Sequence, residues 1–337
     1  MKNILVTGGT GYIGSHILVE LIEEGYEVVV YDNLSNSLHT VLNNVFLLTG
    51  KNIEFIKGDI TDFEKLDTVF KNNKFDAVIH LAGLKSVSES VEQPLNYYKN
   101  NVFGSLQLFE VMALHNVKVI VFSSSATVYG EPKSLPLNEE MPMGIPTNPY
   151  GMSKLVIENI LADLFYSDPS WSIIRLRYFN PVGAHPSGLL GENPVTPPNN
   201  LMPIIIQTAL GKKNYLPVFG GDYPTDDGTA VRDYIHVVDL AKGHIAALRN
   251  CSELRGIQTI NLGTGQGYSV KQIIETFEKE NNVEVPYKIM ARRQGDVAEC
   301  YSQVNWAKKL LGWESKLGIK EMCKDSWNWA IQNKSDI

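Results

Sequence analysis

The sequence has few cysteines, no excess of positive charge and no long apolar segment. Its three cysteines, Cys251, Cys300 and Cys323, are odd in number, lie far apart and lack the spacing of metal ligands. This excludes a disulfide-stapled scaffold and gives no metal site to propose. We therefore expect a reducing compartment, the cytoplasm.

The charge balance and the apolar segments exclude two further classes of protein. A formal net charge of -7 and a pI near 5.6 argue against nucleic acid as the main partner. No apolar segment approaches the ~20 residues of a membrane span, and the N-terminal apolar residues pass straight into glycine, so we expect neither a span nor a signal peptide. The 337 residues, 44% of them hydrophobic, suit a globular protein with one large domain or two smaller ones.

A glycine-rich turn near the N-terminus organises the chain. Residues 3–7 predict a short strand, and the pattern becomes helical from Ser15. Between them, Gly9, Gly11 and Gly14 have the G-x-G-x-x-G spacing, which lets backbone N–H groups approach a pyrophosphate at a helix N-terminus. Glycine turns after strands are common, so a purely structural turn is the alternative.

The next predicted strand, at 27–31, favours a dinucleotide site over a structural turn. It ends at Asp32, at about the distance where an acidic residue accepts hydrogen bonds from an adenosine ribose. Asp32 would repel a 2′-phosphate, and residues 33–38 contain no arginine or lysine. The pattern therefore predicts NAD rather than NADP.

Short apolar segments alternate with helical patterns through the first half of the chain. Strands are predicted at 27–31, 53–57, 77–81, 118–123 and 172–176, and helices at 65–70, 101–115 and 152–165. This alternation predicts an α/β fold with a doubly wound parallel (Rossmann) sheet over residues 1–180. In such sheets ligands bind beyond the carboxyl ends of the strands.

The composition changes after residue 180. Residues 180–203 are rich in proline, glycine and asparagine, which predicts a long loop that leaves the sheet to cover a ligand. A strand at 231–238, a helix at 239–249 and a strand at 259–262 predict a return to the sheet near 236–262. The rest of 181–337 is predicted to be a smaller mixed α/β substrate-binding domain, interleaved with the first.

The chemistry is predicted at Tyr150 and Lys154. Asn148 suits a helix N-cap and Pro149 the first helical position, so Tyr150 and Lys154 fall four apart on one helix face. The rest of this helix face is apolar, so Lys154 is expected to be buried and to need a buried polar partner. Its ammonium, together with a positive nicotinamide ring, is expected to lower the pKa of Tyr150 and make the phenol a usable base. The alternative is a surface tyrosine and lysine at chance spacing.

Residues 123–125, three serines at the end of a predicted strand, favour the catalytic interpretation. A hydroxyl there can bind the substrate oxygen that Tyr150 deprotonates. Serine, tyrosine and lysine behind a dinucleotide turn are far more specific than any one of them.

With these motifs in place, the chain resembles the extended short-chain dehydrogenase/reductases, and within them the branch that epimerises UDP-hexoses at C4. The resemblance covers nearly the whole chain and rests on residues 6–16, 80–85, 123–130, 150–154, 177–185 and 228–236. It implies that Tyr150 takes the proton of the sugar C4 hydroxyl while bound NAD accepts the C4 hydride. The 4-keto sugar then turns over and takes the hydride back, which interconverts UDP-galactose and UDP-glucose.

The resemblance also implies site residues. Ser125 would hydrogen-bond the substrate hydroxyl, and Lys154 would hold the nicotinamide ribose. Besides Ser125, Tyr150 and Lys154, the implied cofactor contacts are Gly8, Gly11, Tyr12, Ile13, Gly14, Asp32, Asn33, Leu34, Ser35, Asn36, Ser37, Asp59, Ile60, Leu81, Ala82, Gly83, Leu84, Lys85, Asn100 and Phe179. Besides Ser125 and Tyr150, the implied substrate contacts are Asn180, Asn200, Leu201, Pro217, Val218, Phe219, Arg232, Arg293, Asp296 and Cys300.

Cys300 bears on specificity. Some family members have a tyrosine there, and those with a small residue resemble enzymes that also accept N-acetylhexosamines. We therefore expect activity on UDP-GlcNAc and UDP-GalNAc as well; the alternative is an incidental loop thiol.

The same fold leaves two rival functions. The nearer rival is a nucleotide-sugar 4,6-dehydratase or decarboxylase. Dehydratases of this group carry an Asp-Glu pair where this chain has Ala126 and Thr127, so the acid and base for eliminating water from C5 and C6 are absent. A non-catalytic NAD-binding protein would usually lack Tyr150 or Lys154. The resemblance further implies a homodimer packed through helices of the NAD-binding lobe.

Overall fold

A seven-stranded parallel sheet lies at the centre of the protein, whose computed structural model describes residues 1–293 and 295–334. Positions 294 and 335–337 of the predicted second domain lie outside the described residues. The strands are β1 (Asn3–Thr7), β2 (Glu27–Asp32), β3 (Glu54–Lys57), β4 (Ala77–His80), β5 (Val119–Ser125), β6 (Ser172–Tyr178), β7 (Asn180–Val182), β8 (Leu216–Phe219), β9 (Val231–His236), β10 (Gly256–Leu262), β11 (Gly267–Ser269), β12 (Tyr287–Met290) and β13 (Glu299–Cys300).

Twelve α-helices connect and cover the strands in the described part of the chain. They are α1 (Tyr12–Glu23), α2 (Val41–Thr49), α3 (Phe63–Asn72), α4 (Val87–Glu92), α5 (Pro94–Tyr97), α6 (Gly104–Leu114), α7 (Pro149–Ser167), α8 (Leu201–Ala209), α9 (Val237–Leu254), α10 (Val270–Asn281), α11 (Asn305–Leu311) and α12 (Ile319–Gln332). A π-helical segment, Tyr98–Phe103, leads into α6, and a 3-10 turn, Ala126–Tyr129, follows β5. Among these residues no helix is long and apolar enough to cross a bilayer.

The central sheet has the strand order β10-β6-β5-β4-β1-β2-β3, and all its strands run parallel. Alternate side chains of each strand face opposite layers. Ile4 and Val6 pack against α1, α2 and α9, whereas Leu5 packs against α3, α6 and α7. Helices therefore cover both faces, which confirms the predicted doubly wound fold.

The segment predicted to return to the sheet does so only in part. β10 pairs with β6 in the central sheet, but β9 lies in a second sheet, where it pairs with β7, β11 and β13. α9 also begins at Val237 rather than Asp239, because the ring nitrogen Nδ1 of His236 accepts from Val238 N at 3.1 Å and caps the helix. The prediction of β9 as a central strand was therefore wrong.

A second core lies beside the carboxyl edge of the central sheet. It is formed by α8, β8, β9, α10 and α12, with Met202, Ile205, Phe277 and Trp329 among its buried side chains. α11, although late in the chain, packs on α9 and β10 of the first lobe. The two lobes are thus interleaved in sequence.

Candidate active site

All seven central strands end at one edge, and the segments that follow them converge there. Because the sheet is parallel, the turn after β1, Asp32 after β2, the loop after β4 and Ser125 at the end of β5 lie along this edge. We call the space along this edge the groove. Strand β1 lies between β2 and β4, so the glycine turn is near the middle of the groove. This is the position expected for a ligand in a doubly wound sheet.

The glycine turn fits a dinucleotide phosphate. Gly8 has a φ of +74°, and a Cβ on Gly14 would lie 2.4 Å from the Gly8 carbonyl oxygen. The turn therefore requires glycine at both positions. No side chain caps α1 at Gly11, so its first-turn N–H groups are left for an anion.

The segment after β2 is fixed by hydrogen bonds from its neighbours. The Asp32 carboxylate accepts from Thr10 N at 3.2 Å and Leu34 N at 2.9 Å, and Ser37 bonds Thr10 at 2.6 Å. Asn33 donates to Asp59 at 2.9 Å. The structure thus brings together the residues predicted to contact the adenosine.

Two predicted contacts have side chains that face away from the groove. Ile60 packs in the core against Gly104, and Val218 is 1% exposed in the second core. Any ligand contact of these two residues falls to their backbone atoms.

The loop after β4 is held by Asn101, which sequence reasoning missed. Asn101 is fully buried; its side chain accepts from Leu84 N at 2.8 Å and donates to Leu84 O at 3.0 Å and to Ser153 Oγ at 3.1 Å. It therefore ties the loop at 81–85 to the helix that carries Tyr150. A single asparagine within a helical pattern gave no signal for this role.

The start of α7 is as predicted. The Asn148 side chain accepts from Gly151 N at 2.9 Å, and Pro149 occupies the first turn. Lys154 is buried and finds its partner in the Ser123 carbonyl, to which Nζ donates at 2.8 Å. Burial lowers the pKa of Lys154 to about 8, with the charge of Glu158 opposing.

Tyr150 is half-buried, and Ser125 lies within hydrogen-bonding reach of its phenol. Burial raises the pKa of Tyr150, and this hydrogen bond only partly opposes the effect. The protein's own groups therefore do not produce the predicted lowering of the Tyr150 pKa. The prediction also relied on the positive nicotinamide.

A buried charge pair lies directly behind these residues, and it too was missed. Glu158, fully buried one turn beyond Lys154, accepts from Ser124 Oγ at 2.5 Å and from Arg177 Nη2 at 2.6 Å. The Arg177 guanidinium lies 4.8 Å from the Tyr129 ring centre. This network joins α7 to β5 and β6.

The predicted substrate contacts lie on the second lobe. Phe219, at the end of β8, carries the Arg293 guanidinium 4.9 Å from its ring centre, and Arg293 Nε donates to Asp296 at 3.0 Å. Arg232 is paired in register with Cys300 across β9 and β13. The structure therefore brings Arg293 together with Phe219 and Asp296, and Arg232 together with Cys300.

Asn180 and Asn200 flank the covering loop. Asn180 begins β7 and is exposed, and Asn200 immediately precedes Leu201, the first residue of α8. Phe179 is buried in a small cluster that contains Val128, Tyr129 and Leu137, and Cys300 packs against it.

Comparison with known proteins identifies relatives over the whole chain. A family model described as GDP-mannose 4,6 dehydratase matches residues 5–326. A UDP-glucose 4-epimerase of Bacillus subtilis (strain 168) is 56% identical over 330 residues, which cover 98% of this chain and 97% of that protein.

Solved structures give the same likeness. The UDP-glucose 4-epimerase of Bifidobacterium longum in complex with NAD+ and UDP matches with a TM-score of 0.97 and 50% identity over 100% of both chains. The UDP-Glc/GlcNAc 4-epimerase of Campylobacter jejuni matches with a TM-score of 0.85 and 36% identity, covering 98% of this chain and 100% of that one.

Proposed function

The chain belongs to the UDP-glucose 4-epimerases of the extended short-chain dehydrogenase/reductase family, and on that premise we propose that it interconverts UDP-galactose and UDP-glucose with bound NAD. The observation that carries the proposal is the Tyr150 phenol beside the Ser125 hydroxyl, at the edge where the glycine turn lies. A base and a hydroxyl donor that meet at one substrate oxygen suit oxidation of a sugar hydroxyl.

The residues of the groove fit NAD. The N–H groups at the start of α1, with Tyr12 and Ile13, would hold the diphosphate, and Asp32 the adenosine ribose. Lys154 would hold the nicotinamide ribose from the opposite side of the turn. When bound, NAD supplies a hydride acceptor that is regenerated within one catalytic cycle.

Tyr150 moves the proton of the C4 hydroxyl, and Ser125 orients that hydroxyl. Burial keeps the phenol protonated in the protein alone, so the base form requires added positive charge near it. The Lys154 ammonium and the nicotinamide ring are the charges that can supply it. The proton returns to the sugar oxygen after the 4-keto sugar has presented its other face, so no net proton or hydride leaves the site.

The second lobe holds the nucleotide part of the substrate. Arg232 and Arg293 suit the diphosphate, because a guanidinium offers paired donors to phosphate oxygens. Phe219, with Pro217, would contact the uracil, Asp296 would accept from the uridine ribose, and Asn180, Asn200 and Leu201 would line the nucleotide sugar. These assignments rest on the family resemblance and on the contacts of Arg293 with Phe219 and Asp296.

We also propose activity on UDP-GlcNAc and UDP-GalNAc. Cys300 is half-buried in β13, in register with Arg232, and a cysteine leaves far more room than the tyrosine of other family members. The likeness to the Campylobacter relative, which is named a UDP-Glc/GlcNAc 4-epimerase, supports this proposal.

The proposed assembly is a homodimer formed through helices of the NAD-binding lobe. Val91 in α4, Leu95 in α5 and Phe103 before α6 are 62%, 82% and 43% exposed, which is unusual for apolar side chains so close in sequence. Light scattering of the wild type and of Leu95→Glu is the test: a dimer for the first and a monomer for the second are expected, and a monomeric wild type would refute the assembly.

The proposed location is the cytoplasm. All three thiols, Cys251, Cys300 and Cys323, are free, which suits a reducing compartment. Cell fractionation tests this, and recovery in a secreted fraction would contradict it.

The function is tested by adding UDP-galactose to the purified protein without any cofactor. UDP-glucose formation with no net rise in NADH absorbance is expected, because the enzyme retains and regenerates its own NAD. Tyr150→Phe should lower turnover by about 10²- to 10⁴-fold and still bind NAD, because it removes only the proton-transferring oxygen. Stoichiometric NADH, loss of water from the sugar, or wild-type turnover by Tyr150→Phe would each refute the assignment.

A further inference from the structure

An irregular segment, residues 183–200, crosses from the second lobe to the NAD-binding lobe; we call it the strap. At its start it is anchored to the second lobe, where the side chains of Asn328 and Asn333 donate to the carbonyls of Pro186 and Gly188, both at 3.0 Å. Further contacts of the strap reach the first lobe. The strap therefore joins the two lobes without any helix or strand of its own.

The first-lobe contacts of the strap lie on both sides of the glycine turn. On the β4 side, Asn199 donates to Ser86 Oγ at 3.3 Å. On the β2 side, Thr196 Oγ1 donates to Asn36 Oδ1 at 3.3 Å, and Asn44 Nδ2 donates to Leu189 O at 2.9 Å. Because β1 lies between β2 and β4, a segment with both sets of contacts must pass over the turn after β1.

The strap also touches the turn itself. The Tyr12 hydroxyl donates to Gly183 O at 2.7 Å, and Tyr12, Gly183 and Glu192 line one small cavity. A dinucleotide whose diphosphate rests on the N-terminus of α1 would therefore lie beneath the strap.

Glu192 makes the one charged contact among those described between the strap and the first lobe. Its Oε1 atom accepts from Lys85 Nζ at 3.1 Å and from Asn200 Nδ2 at 2.6 Å. The Glu192 side chain is only 10% exposed, whereas that of Lys85 is 46% exposed. One carboxylate oxygen thus joins the loop after β4 to the end of the strap.

We propose that Glu192 is a positioning residue that fastens the strap over the dinucleotide groove, so that NAD leaves only after the Glu192–Lys85 contact opens. The inference rests on the proposed function in that it takes NAD as the dinucleotide. The other hydrogen bonds between the strap and the first lobe join neutral groups, at 2.7 to 3.5 Å. A charge-assisted hydrogen bond is stronger than a neutral one, so loss of the Glu192 contact should increase the rate of NAD release more than loss of any of the others.

The test follows NAD loss from the purified holoenzyme. The protein is diluted into an excess of an NAD-hydrolysing enzyme, which destroys released cofactor, and the NAD that stays bound is measured over time after desalting. Glu192→Ala should lose NAD about threefold to tenfold faster than the wild type, because an exposed charge-assisted contact is lost. Glu192→Gln, which keeps an acceptor for Asn200, should fall between the two.

Glu314→Gln provides the matched control. Glu314 also pairs with a lysine, Lys308, at 2.7 Å, but on α11 and the segment that follows it, without contact to the strap. Its NAD loss should equal that of the wild type. Added salt should accelerate loss from the wild type more than from Glu192→Ala, since screening acts on the ion pair.

The outcomes separate the strap from the function. In one outcome the wild type carries NAD, and Glu192→Ala loses it no faster than the wild type or Glu314→Gln. This result would overturn the role of Glu192 and leave the epimerase assignment intact. A wild type that neither carries nor takes up NAD would overturn both.

Discussion

The Ser124 hydroxyl donates to the Glu158 carboxylate at 2.5 Å and so joins the strand that ends at Ser125 to the helix that carries Tyr150 and Lys154. The same carboxylate binds Arg177 through both of its oxygens, and neither charged side chain is more than 3% exposed. The relative position of Ser125 and Tyr150 thus depends on a buried ion pair that takes no part in the chemistry.

Glu158→Ala should therefore destabilise the protein strongly. It leaves the Arg177 guanidinium buried without its partner, which typically costs about 3–5 kcal/mol in the free energy of unfolding. The double variant Glu158→Leu/Arg177→Met removes both charges and should lose less stability. Urea unfolding measures both, and an equal or greater loss in the double variant would contradict this account.

Two glycines of the turn should respond differently to alanine. A Cβ on Gly14 would meet the Gly8 carbonyl oxygen at 2.4 Å and the Gly9 backbone at 2.8 Å, whereas a Cβ on Gly11 meets only the Gly8 oxygen, at 3.3 Å. Gly14→Ala should lower the free energy of unfolding by about 1–3 kcal/mol and lose NAD. Gly11→Ala should keep nearly wild-type stability and bind NAD more weakly, because its methyl group would lie at the N-terminus of α1, where we propose that the diphosphate binds.

Thermal unfolding and the nucleotide content of the purified variants test this contrast. Equal unfolding temperatures for Gly14→Ala and Gly11→Ala would show that the close approach at Gly14 does not constrain the fold.

The depressed pKa of Lys154 predicts a pH dependence of stability. Burial lowers this pKa from its ordinary value of 10.5 to about 8 in the folded protein. Between pH 8 and 10.5 the unfolded state therefore binds more protons than the folded state, so the free energy of unfolding should rise with pH. Below pH 8 Lys154 is protonated in both states and adds no slope.

Lys154→Met removes the titrating group and keeps the length of the side chain. The unfolding free energies of the wild type and this variant, both freed of nucleotide, should differ by a constant amount below pH 8. Above that pH the wild type should gain on the variant. Parallel curves up to pH 10 would contradict the buried, shifted lysine.

Features with a local cause were predictable from the sequence. The alternation of apolar segments with helical patterns indicated the sheet, and Asn148 before Pro149 indicated the start of α7, because periodicity and capping depend on neighbours in the chain. The turn that contains Gly9, Gly11 and Gly14 was predictable for the same reason.

Features that depend on distant partners were not. Asn101 meets Leu84 across 17 positions, and Lys85 meets Glu192 across 107, so no local pattern indicates either contact. The misplacement of β9 has the same origin, since a strand pattern predicts an extended segment but not the sheet that it joins. The lowered pKa of Tyr150 was predicted from the Lys154 ammonium and a bound nicotinamide, whereas in the protein alone burial raises this pKa.

The breadth of substrate choice should depend on the size of residue 300. Cys300 is paired in register with Arg232 and packs against the cluster that contains Phe179, so a larger side chain there has little room to turn away. Cys300→Tyr should lower kcat/KM for UDP-GlcNAc by about 10- to 200-fold and leave that for UDP-galactose nearly unchanged, because the added ring competes with the acetamido group. Cys300→Ser, which stays small, should keep both activities. The ratio of the two kcat/KM values in each variant is the measurement; a wild type with no turnover of UDP-GlcNAc, or a tyrosine variant with an unchanged ratio, would show that residue 300 does not set the limit.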